Sequence, residues 1–478
     1  MTDIEFVKSD IEKKKDEFIS ANDSIYGFAE LSYEEFKSAD LLCGILEREG
    51  FSVKRGLAGI PTCFSGTYGS GRPVMGILGE FDALPGLSQE AGVPEHRPVK
   101  KDGPGHGCGH CCLGTGSLAA AVAVKDYLKS NSLDGTVIYF GCPAEEGAGS
   151  KQFMARAGLF NSCDFCYTWH PSSLNDVSAD SSTAIMGANF RFKGIAAHAG
   201  GSPWLGRSAL DAVELMSVGC NYLREHIPDG QRIHYAYSDA GGTFPNVVPD
   251  HATVKYEVRA STVKDVKALF ERVVKVAKGA AMMTETTLTY EITMAFSDFS
   301  NNSVLASIAS GCLEELGAPD WDDSDYALAS AFLKSYGEMQ LEGIKKAISD
   351  EFGSDKTDEL LSRPLHTGVV PYDQSSGKAV GGSSDVGDVG YAAPTAELHV
   401  ATCCLGNIGH TWQMAGQAGS SIGHKGLLRA GEAIALSCIR TMARPDLIKK
   451  AREEYINKSG GKYVCPLPDS VKPPIGRY

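Results

Sequence analysis

The chain has 478 residues and a formal net charge of −14, from 45 basic and 59 acidic side chains. This acidic balance, with no dense basic cluster, argues against nucleic acid as a partner. The length exceeds the roughly 100 to 200 residues of one domain and predicts two or three structural units. The 14 cysteines stand in a chain whose first residues lack the apolar core of a signal peptide, which favours reduced thiols and a cytoplasmic location. No stretch reaches the roughly 18 apolar residues of a membrane helix, so no membrane partner is expected.

The first 50 residues carry apolar side chains at helical spacing and predict helices. The apolar run that follows, at 73–85, breaks at Glu80-Phe81-Asp82. Such a run predicts a buried parallel strand, which delivers carboxylates to the sheet edge where open α/β folds place their sites. Asp82 is therefore a candidate site residue; the alternative is an ordinary turn aspartate.

A glycine-rich stretch at 104–110 contains Cys108 and His110. In an extended segment, side chains two residues apart point the same way, so both could reach one metal ion. The alternative is a glycine-rich turn with a buried cysteine. A helix is predicted next, over 113–129.

Two further strands are predicted to end at candidate site residues. The strand at 136–141 leads to Glu145 and Glu146, and the apolar strand at 163–171 ends at His170. Adjacent side chains diverge on an extended backbone, so one glutamate can bind a metal while the other acts as general base. A solvated surface pair is the alternative for the glutamates. Three successive strand ends with such residues favour a metal site.

From about residue 181 the pattern changes. Strands are predicted at 184–194, 233–237, 253–259 and 287–293, with helices at 208–224 and 263–278. This strand-helix-strand-strand-helix-strand order predicts a small α+β unit at 183–298, inserted into an α/β domain formed by 1–182 and 299–478. A helical insertion is expected at about 318–378, a strand at 395–400 and a closing helix at 425–441.

Seven motifs spread over nearly the whole chain resemble, in order, those of the aminoacylase/glutamate-carboxypeptidase superfamily of metallo-amidohydrolases, and within it the aminobenzoyl-glutamate hydrolase group. They are EFDALP at 80–85, HGCGH at 106–110, PAEEG at 143–147, WHP at 169–171, AHA at 197–199, NVVP at 246–249 and HTWQ at 410–413. The resemblance implies an α/β metallopeptidase-type catalytic domain with an inserted α+β, ferredoxin-like lid or dimerisation domain.

The resemblance also implies roles for individual residues. Two divalent metal ions, Mn or Zn, would be surrounded by Cys108, His110, Glu146, His170 and His410. Glu145 would be the general base, and Asp82 would support the metal site. His198 would reach the active site of a neighbouring chain and stabilise the oxyanion. Asn246 and Arg259 would contact a substrate carboxylate. Arg207 could also bind a carboxylate through a bidentate contact, or be a solvated arginine at a helix start.

The implied reaction is hydrolysis of the amide bond of an N-acyl or N-aroyl amino acid, with p-aminobenzoyl-glutamate as the leading candidate. Alternatives are a dipeptidase, another aryl-amide or amino-acid-conjugate hydrolase, an aromatic deaminase, and a non-catalytic partner of another hydrolase. The resemblance implies a dimer, either of identical chains or with a paralogous chain.

Three points stay open in the sequence. His424 competes with His410 as the last ligand, although the motif favours His410. Cys111 stands where relatives carry aspartate or asparagine and is expected to be a packing residue, with a soft metal ligand as the alternative. Asp385 and Asp388 are either supporting groups or loop caps.

Overall fold

The computed structural model describes residues 1–177, 179–377, 379–380 and 382–476. The helices are α1 Asp3–Phe28, α2 Phe36–Arg48, α3 His110–Asn131, α4 Lys151–Arg156, α5 Ala209–Leu223, α6 Val263–Thr284, α7 Ser303–Leu316, α8 Asp323–Lys334, α9 Glu338–Phe352, α10 Thr357–Ser362, α11 Val386–Gly390, α12 Trp412–Ala418, α13 Ser421–Met442 and α14 Pro445–Ser459. The strands are β1 Ser52–Arg55, β2 Phe64–Ser70, β3 Val74–Gly79, β4 Gly135–Gly141, β5 Phe165–Ser172, β6 Ser181–Ser182, β7 Ala184–Lys193, β8 Arg232–Asp239, β9 His251–Ala260, β10 Thr287–Phe296, β11 Ala379–Val380 and β12 Thr395–Ala401.

A six-stranded sheet in the order β1-β2-β4-β3-β5-β12 forms the centre of the larger unit. Strands β3, β4, β5 and β12 run parallel, and their carboxyl ends meet at one edge of the sheet. Strands β1 and β2 extend the sheet in antiparallel fashion. The buried parallel strand predicted before Asp82 is thus confirmed as β3. Strand β2 was not predicted, because its glycine, serine and threonine content hides it.

Helix α3 packs against α1 and α13 in the main hydrophobic core. Small residues make this packing possible: a Cβ on Gly116 would lie 2.9 Å from the Leu427 carbonyl oxygen, and one on Gly431 would lie 3.0 Å from the Ala119 Cβ. The helix begins at His110, three residues earlier than predicted. Its amino-terminal end therefore lies beside the carboxyl end of β3, where the candidate site is expected.

The segment between Ala184 and Phe296 forms a separate antiparallel sheet in the order β10-β7-β9-β8. Helices α5 and α6 pack against each other and against its strands. The chain order β7-α5-β8-β9-α6-β10 and this strand order are those of a ferredoxin-like sandwich, as predicted. The precise domain boundaries at 182/183 and 298/299 stay predictions.

The charged segment after α7 folds into α8, α9 and α10 around a small core of its own, which includes Phe332, Ile344 and Ile348. Its predicted end, residue 378, lies outside the described residues. The helix predicted to close the fold is α13, but α14 and an extended segment follow it. Among the described residues, the helices are all too short or too polar to cross a membrane.

Candidate metal centre

Asp82 links three segments at the carboxyl end of β3. Its Oδ1 accepts a hydrogen bond from His110 Nδ1 at 2.9 Å, and its Oδ2 accepts from the Glu146 amide at 2.9 Å and from Ser32 Oγ at 3.1 Å. The carboxylate is buried. Burial alone would raise the pKa of Asp82, but the hydrogen bond and charge of His110 outweigh burial and lower it. Asp82 therefore fixes the His110 ring with Nδ1 protonated and Nε2 available as a ligand.

Cys108 and His170 face each other across the same space. Cys108 Sγ lies 3.4 Å from His170 Nε2, and His170 Nδ1 donates to the Pro171 carbonyl oxygen at 2.8 Å. That bond leaves Nε2 as the ligand atom of His170. His170 lies within β5 rather than after it, two residues before the strand ends.

Cys108 and His110 come together for a reason other than the predicted one. They do not share an extended segment: Cys108 lies in a turn, Gly109 has φ +80°, and His110 is the first residue of α3. The left-handed glycine reverses the chain between them, a conformation that costs glycine little. The predicted proximity is correct, and the predicted backbone is wrong.

Glu146 and His410 approach Cys108 from two further loops. His410 Nε2 lies 3.5 Å from Glu146 Oε2, and the His410 amide donates to the Gly107 carbonyl oxygen at 2.8 Å. Glu145 points to the other side, with Oε2 4.0 Å from His110 Nε2. The two glutamates diverge as predicted, although they lie in a turn and not on an extended backbone.

The donor atoms form overlapping groups, within each of which all atoms lie within 4.8 Å of one another. The groups are Cys108 with His110 and His170, Cys108 with Glu146 and His410, and Glu80 with His110 and Glu145. The first two share Cys108 and together hold all five predicted ligands. In the part of the chain that the structure describes, the buried atoms His110 Nε2 and Glu146 Oε1 have no hydrogen-bond partner. Buried polar atoms without partners are costly, so this set of N, O and S donors fits divalent metal ions.

The site disfavours negative charge when no cation balances it. Burial raises the pKa of the Cys108 thiol to about 12. Burial and the nearby Glu80 carboxylate raise the pKa of Glu145 well above its usual value, and burial likewise raises that of Glu146. Burial lowers the pKa of His170 to about 4, which keeps its ring neutral. Metal binding would stabilise the anionic ligands and release their protons.

A buried ion-pair network lies directly behind the site. Lys151 Nζ lies 2.7 Å from Glu80 Oε1 and 2.5 Å from Asp385 Oδ1, and all three side chains are almost completely buried. Asp385 Oδ2 also accepts the Ser150 and Lys151 amides at 2.8 Å, at the start of α4. Asp385 thus supports the site and holds the helix start. Asp388 instead accepts hydrogen bonds from Ser297 and Tyr463.

The metal-type residues line a cavity of about 450 Å³ between the central sheet and the inserted sheet. Arg259, on β9, lines it, and its Nη1 donates to Ser383 Oγ at 3.0 Å. Ile185, Met294 and Phe296 form an apolar wall of the same cavity. A cation and an apolar surface therefore face the candidate metal centre.

A sequence model of peptidase family M20/M25/M40 matches residues 76–332. The chain belongs to this family. It is therefore a hydrolytic enzyme, and the resemblance to metallo-amidohydrolases seen in its motifs is confirmed.

Individual relatives extend the likeness over the whole chain. The chain is 39% identical over 472 residues to one of the subunits of p-aminobenzoyl-glutamate hydrolase from Escherichia coli (strain K12), and the match covers 98% of each protein. It is 29% identical over 306 residues to a Haemophilus influenzae homolog of the other subunit type of that hydrolase, covering 61% of this chain and 71% of that protein. A dinuclear metal-binding M20 peptidase of Bacillus subtilis has the same fold, with a TM-score of 0.57 and 16% identity over 90% of this chain and 99% of that one.

Three predicted site residues of this M20 chain lie away from the cavity. His198 and Asn246 are exposed and stand on adjacent loops of the inserted unit, where the Ala199 amide donates to the Asn246 carbonyl oxygen at 2.9 Å. Arg207 pairs with Glu285 at 2.8 Å on the same unit. None of the three is among the residues that line the cavity described above, so a single chain does not bring them to the candidate metals.

The contacts bear on two of the open choices. His424 pairs with Asp23 at 2.6 Å, on α13 and α1, whereas His410 lies within a ligand group. Cys111 is buried in the main hydrophobic core, as expected of a packing residue.

Sequence reasoning missed a second histidine beside the centre. His399 on β12 is paired in register with His170 on β5. His399 Nδ1 lies 2.6 Å from Asp176 Oδ1, and its Nε2 lies 3.7 Å from Glu397 Oε1. Glu397 lines the cavity. Glu397 and His399 lie two apart on one strand, so their alternation was a usable signal.

Proposed function

We propose that the chain hydrolyses p-aminobenzoyl-glutamate to p-aminobenzoate and glutamate. The ligand groups that share Cys108, with Glu145 beside them, carry this proposal. The end-to-end likeness to a p-aminobenzoyl-glutamate hydrolase chain, at 39% identity, supports the choice of substrate.

The proposed ligands of the divalent metals are Cys108, His110, Glu146, His170 and His410. We propose Mn or Zn as the metal, because imidazole, carboxylate and thiolate donors suit both. Such ions supply a Lewis acid that polarises an amide carbonyl and makes a nearby water more acidic. Asp82 keeps His110 in the tautomer that can bind a metal.

Glu145 is the proposed general base. Its carboxylate takes a proton from the attacking water while the hydroxide oxygen bonds to the amide carbon. When the carbon–nitrogen bond breaks, Glu145 returns that proton to the glutamate nitrogen, which leaves as an amine. The raised pKa of Glu145 suits a group that must both accept and donate a proton.

The cavity has a surface for each part of this substrate. Arg259 presents a guanidinium suited to a glutamate carboxylate, and its contact with Ser383 orients it. Ile185 and Met294 offer apolar surface to the aminobenzoyl ring.

A second chain is proposed to complete the site. His198 Nδ1 accepts the amides of Gly200 and Gly201, at 3.1 and 2.9 Å, so the ring proton is on Nε2. That N–H is available to stabilise an oxyanion in another chain. Near this loop, Trp204 and Phe244 are 70% and 76% exposed; apolar surface of this kind fits an interface. The partner is either a second copy or a paralogous chain.

We also propose a cytoplasmic location. All 14 cysteines are free thiols, and all but Cys108 and Cys465 are buried. A reducing compartment suits a protein with so many free thiols.

The test is release of glutamate from p-aminobenzoyl-glutamate by purified protein, first stripped of metal with a chelator and then reloaded with Mn or Zn. Turnover that disappears on stripping and returns on reloading is expected. A metal-loaded protein that cleaves dipeptides or auxin-type conjugates but not this substrate would contradict the substrate assignment.

A further inference from the structure

The turn that carries Glu145 and Glu146 has an unusual backbone. Ala144, directly before Glu145, has φ +62°, a left-handed conformation that is unfavourable for a residue with a Cβ. The Ala144 carbonyl oxygen accepts the amides of Gly147 and Gly149 at 3.2 and 3.0 Å, so the whole turn is built on this residue. A strained residue persists only where its surroundings hold it in place.

The Ala144 amide is held by a carboxylate from a distant segment. Glu35, which precedes α2, accepts this amide at its Oε1 at 2.8 Å. On the other side of Glu145, the Glu146 amide is held by Asp82 at 2.9 Å. Glu145 thus lies between two backbone amides that are each fixed by a buried carboxyl group.

Glu35 is itself rigidly placed. It is fully buried, its Oε1 also accepts the Tyr33 amide at 2.9 Å, and its Oε2 accepts Thr62 Oγ1 at 2.9 Å. The neighbouring Tyr33 hydroxyl donates to the Gly149 carbonyl oxygen at 2.5 Å, at the far end of the turn. The segment 33–35 therefore clamps the turn at both ends.

We propose that Glu35 is a positioning residue for Glu145: its hydrogen bond to the Ala144 amide holds the left-handed turn that aims the general base at the substrate. This inference rests on the proposed role of Glu145. Glu35 is neither among the residues that line the cavity nor among the members of the ligand groups. It acts only through the backbone.

Two replacements of similar length separate the clamp from general packing. Glu35→Gln keeps a carbonyl oxygen for the Ala144 and Tyr33 amides, and its NH₂ group can donate to Thr62. Glu35→Met fills the space but accepts neither amide. Because a misplacement of about 1 Å can cost about 100-fold in rate, we expect Glu35→Met to lower kcat by about 10- to 100-fold. KM and bound metal should stay close to wild type, and Glu35→Gln should retain most of kcat.

Thr62→Val is the matched control, because it removes a hydrogen bond of Glu35 without touching the Ala144 amide. It should leave kcat nearly unchanged. If Glu35→Met does not fold, Glu35→Asp serves in its place: it keeps the charge but withdraws the carboxylate from Ala144, and it should lose kcat in the same way. A Glu35→Asp variant with full kcat would overturn the proposal, as would a Glu35→Gln variant that loses as much kcat as the methionine variant.

Hydrogen exchange over residues 143–149 tests the clamp without any substrate. We expect faster exchange in Glu35→Met than in Glu35→Gln or wild type. A wild-type protein inactive on p-aminobenzoyl-glutamate would contradict the proposed function, yet the exchange result would still decide on the clamp. Equal exchange in the methionine and glutamine variants would overturn it.

Discussion

His110 Nδ1 donates to Asp82 Oδ1 at 2.9 Å, while His110 Nε2, on the other side of the ring, is buried and has no hydrogen-bond partner among the described residues. The carboxylate thus defines which nitrogen is protonated and which is a ligand. Since Asp82 also accepts the Glu146 amide, one side chain fixes two proposed ligands from different elements. This arrangement makes Asp82 the central support of the site.

Asp82→Asn tests that support. Asparagine can still accept from His110, but it has no charge, and its NH₂ group would face the Glu146 amide, which is also a donor. Loss of such a supporting group costs about 10- to 100-fold in metal affinity. Competition between the protein and a chelator for Zn would measure this loss. Ser32→Ala is the control, because it removes a donor to Asp82 and leaves the His110 contact intact; an equal loss in the control would contradict the explanation.

Glu145→Gln separates chemistry from metal binding. Glutamine cannot take a proton from water, and general-base catalysis is worth about 10² to 10⁴ in rate, so kcat should fall by that factor. Metal content should stay at the wild-type value. Glu146→Gln should show the opposite first effect, a loss of bound metal, because Glu146 belongs to a ligand group. Metal analysis and glutamate release on the same preparations give both quantities. An active, metal-loaded Glu145→Gln would refute the assignment of the base.

Arg259→Met tests recognition of the substrate carboxylate. A hydrogen bond to a charged group is worth about 1.5 to 3 kcal/mol, so kcat/KM for p-aminobenzoyl-glutamate should fall by about 10- to 100-fold. A substrate analogue whose carboxylates are converted to amides should be equally poor with wild type and variant. Ser383→Ala removes only the hydrogen bond that orients Arg259 and should have a much smaller effect. Unchanged kcat/KM in Arg259→Met would place the carboxylate elsewhere.

Mixed dimers test the role proposed for His198. His198→Ala and Glu145→Gln chains should each be nearly inactive alone. In a hybrid homodimer, the site with an intact Glu145 receives the intact His198 from the other chain. After exchange of equal amounts, half of the dimers are hybrids with one working site each, so about a quarter of wild-type activity should return. Native mass spectrometry confirms that hybrids form. Hybrids without activity would exclude a shared site between identical chains.

The residues at strand ends were easier to predict from the sequence than the contacts behind them. Asp82, Glu146 and His170 were found because apolar runs identify buried parallel strands, and such strands bring their carboxyl ends together. The backbone between Cys108 and His110 was mispredicted, because a left-handed glycine that starts a helix looks like any glycine in a flexible loop. His399 was missed because its closeness to His170 depends on β12 pairing with β5, and pairing of distant strands is not encoded in local pattern.

Lys151 shows the same limit most clearly, and it leads to a prediction on stability. A lysine at a helix start normally indicates solvent, yet Lys151 is buried between Glu80 and Asp385, the latter 234 residues away in sequence. Lys151→Met would leave two buried carboxylates without their cation. Breaking a buried ion pair from one side costs about 3 to 5 kcal/mol, and we expect the free energy of unfolding to fall by that amount.

Urea unfolding of metal-free protein, followed by circular dichroism, measures this change. Lys13→Met is the control, because Lys13 is exposed on α1, and it should alter the free energy of unfolding by less than about 0.5 kcal/mol. Adding Glu80→Gln and Asp385→Asn to Lys151→Met should recover part of the loss, because neutral amides need no cation. A Lys151→Met variant as stable as the control would show that Glu80 and Asp385 are already protonated in the folded protein.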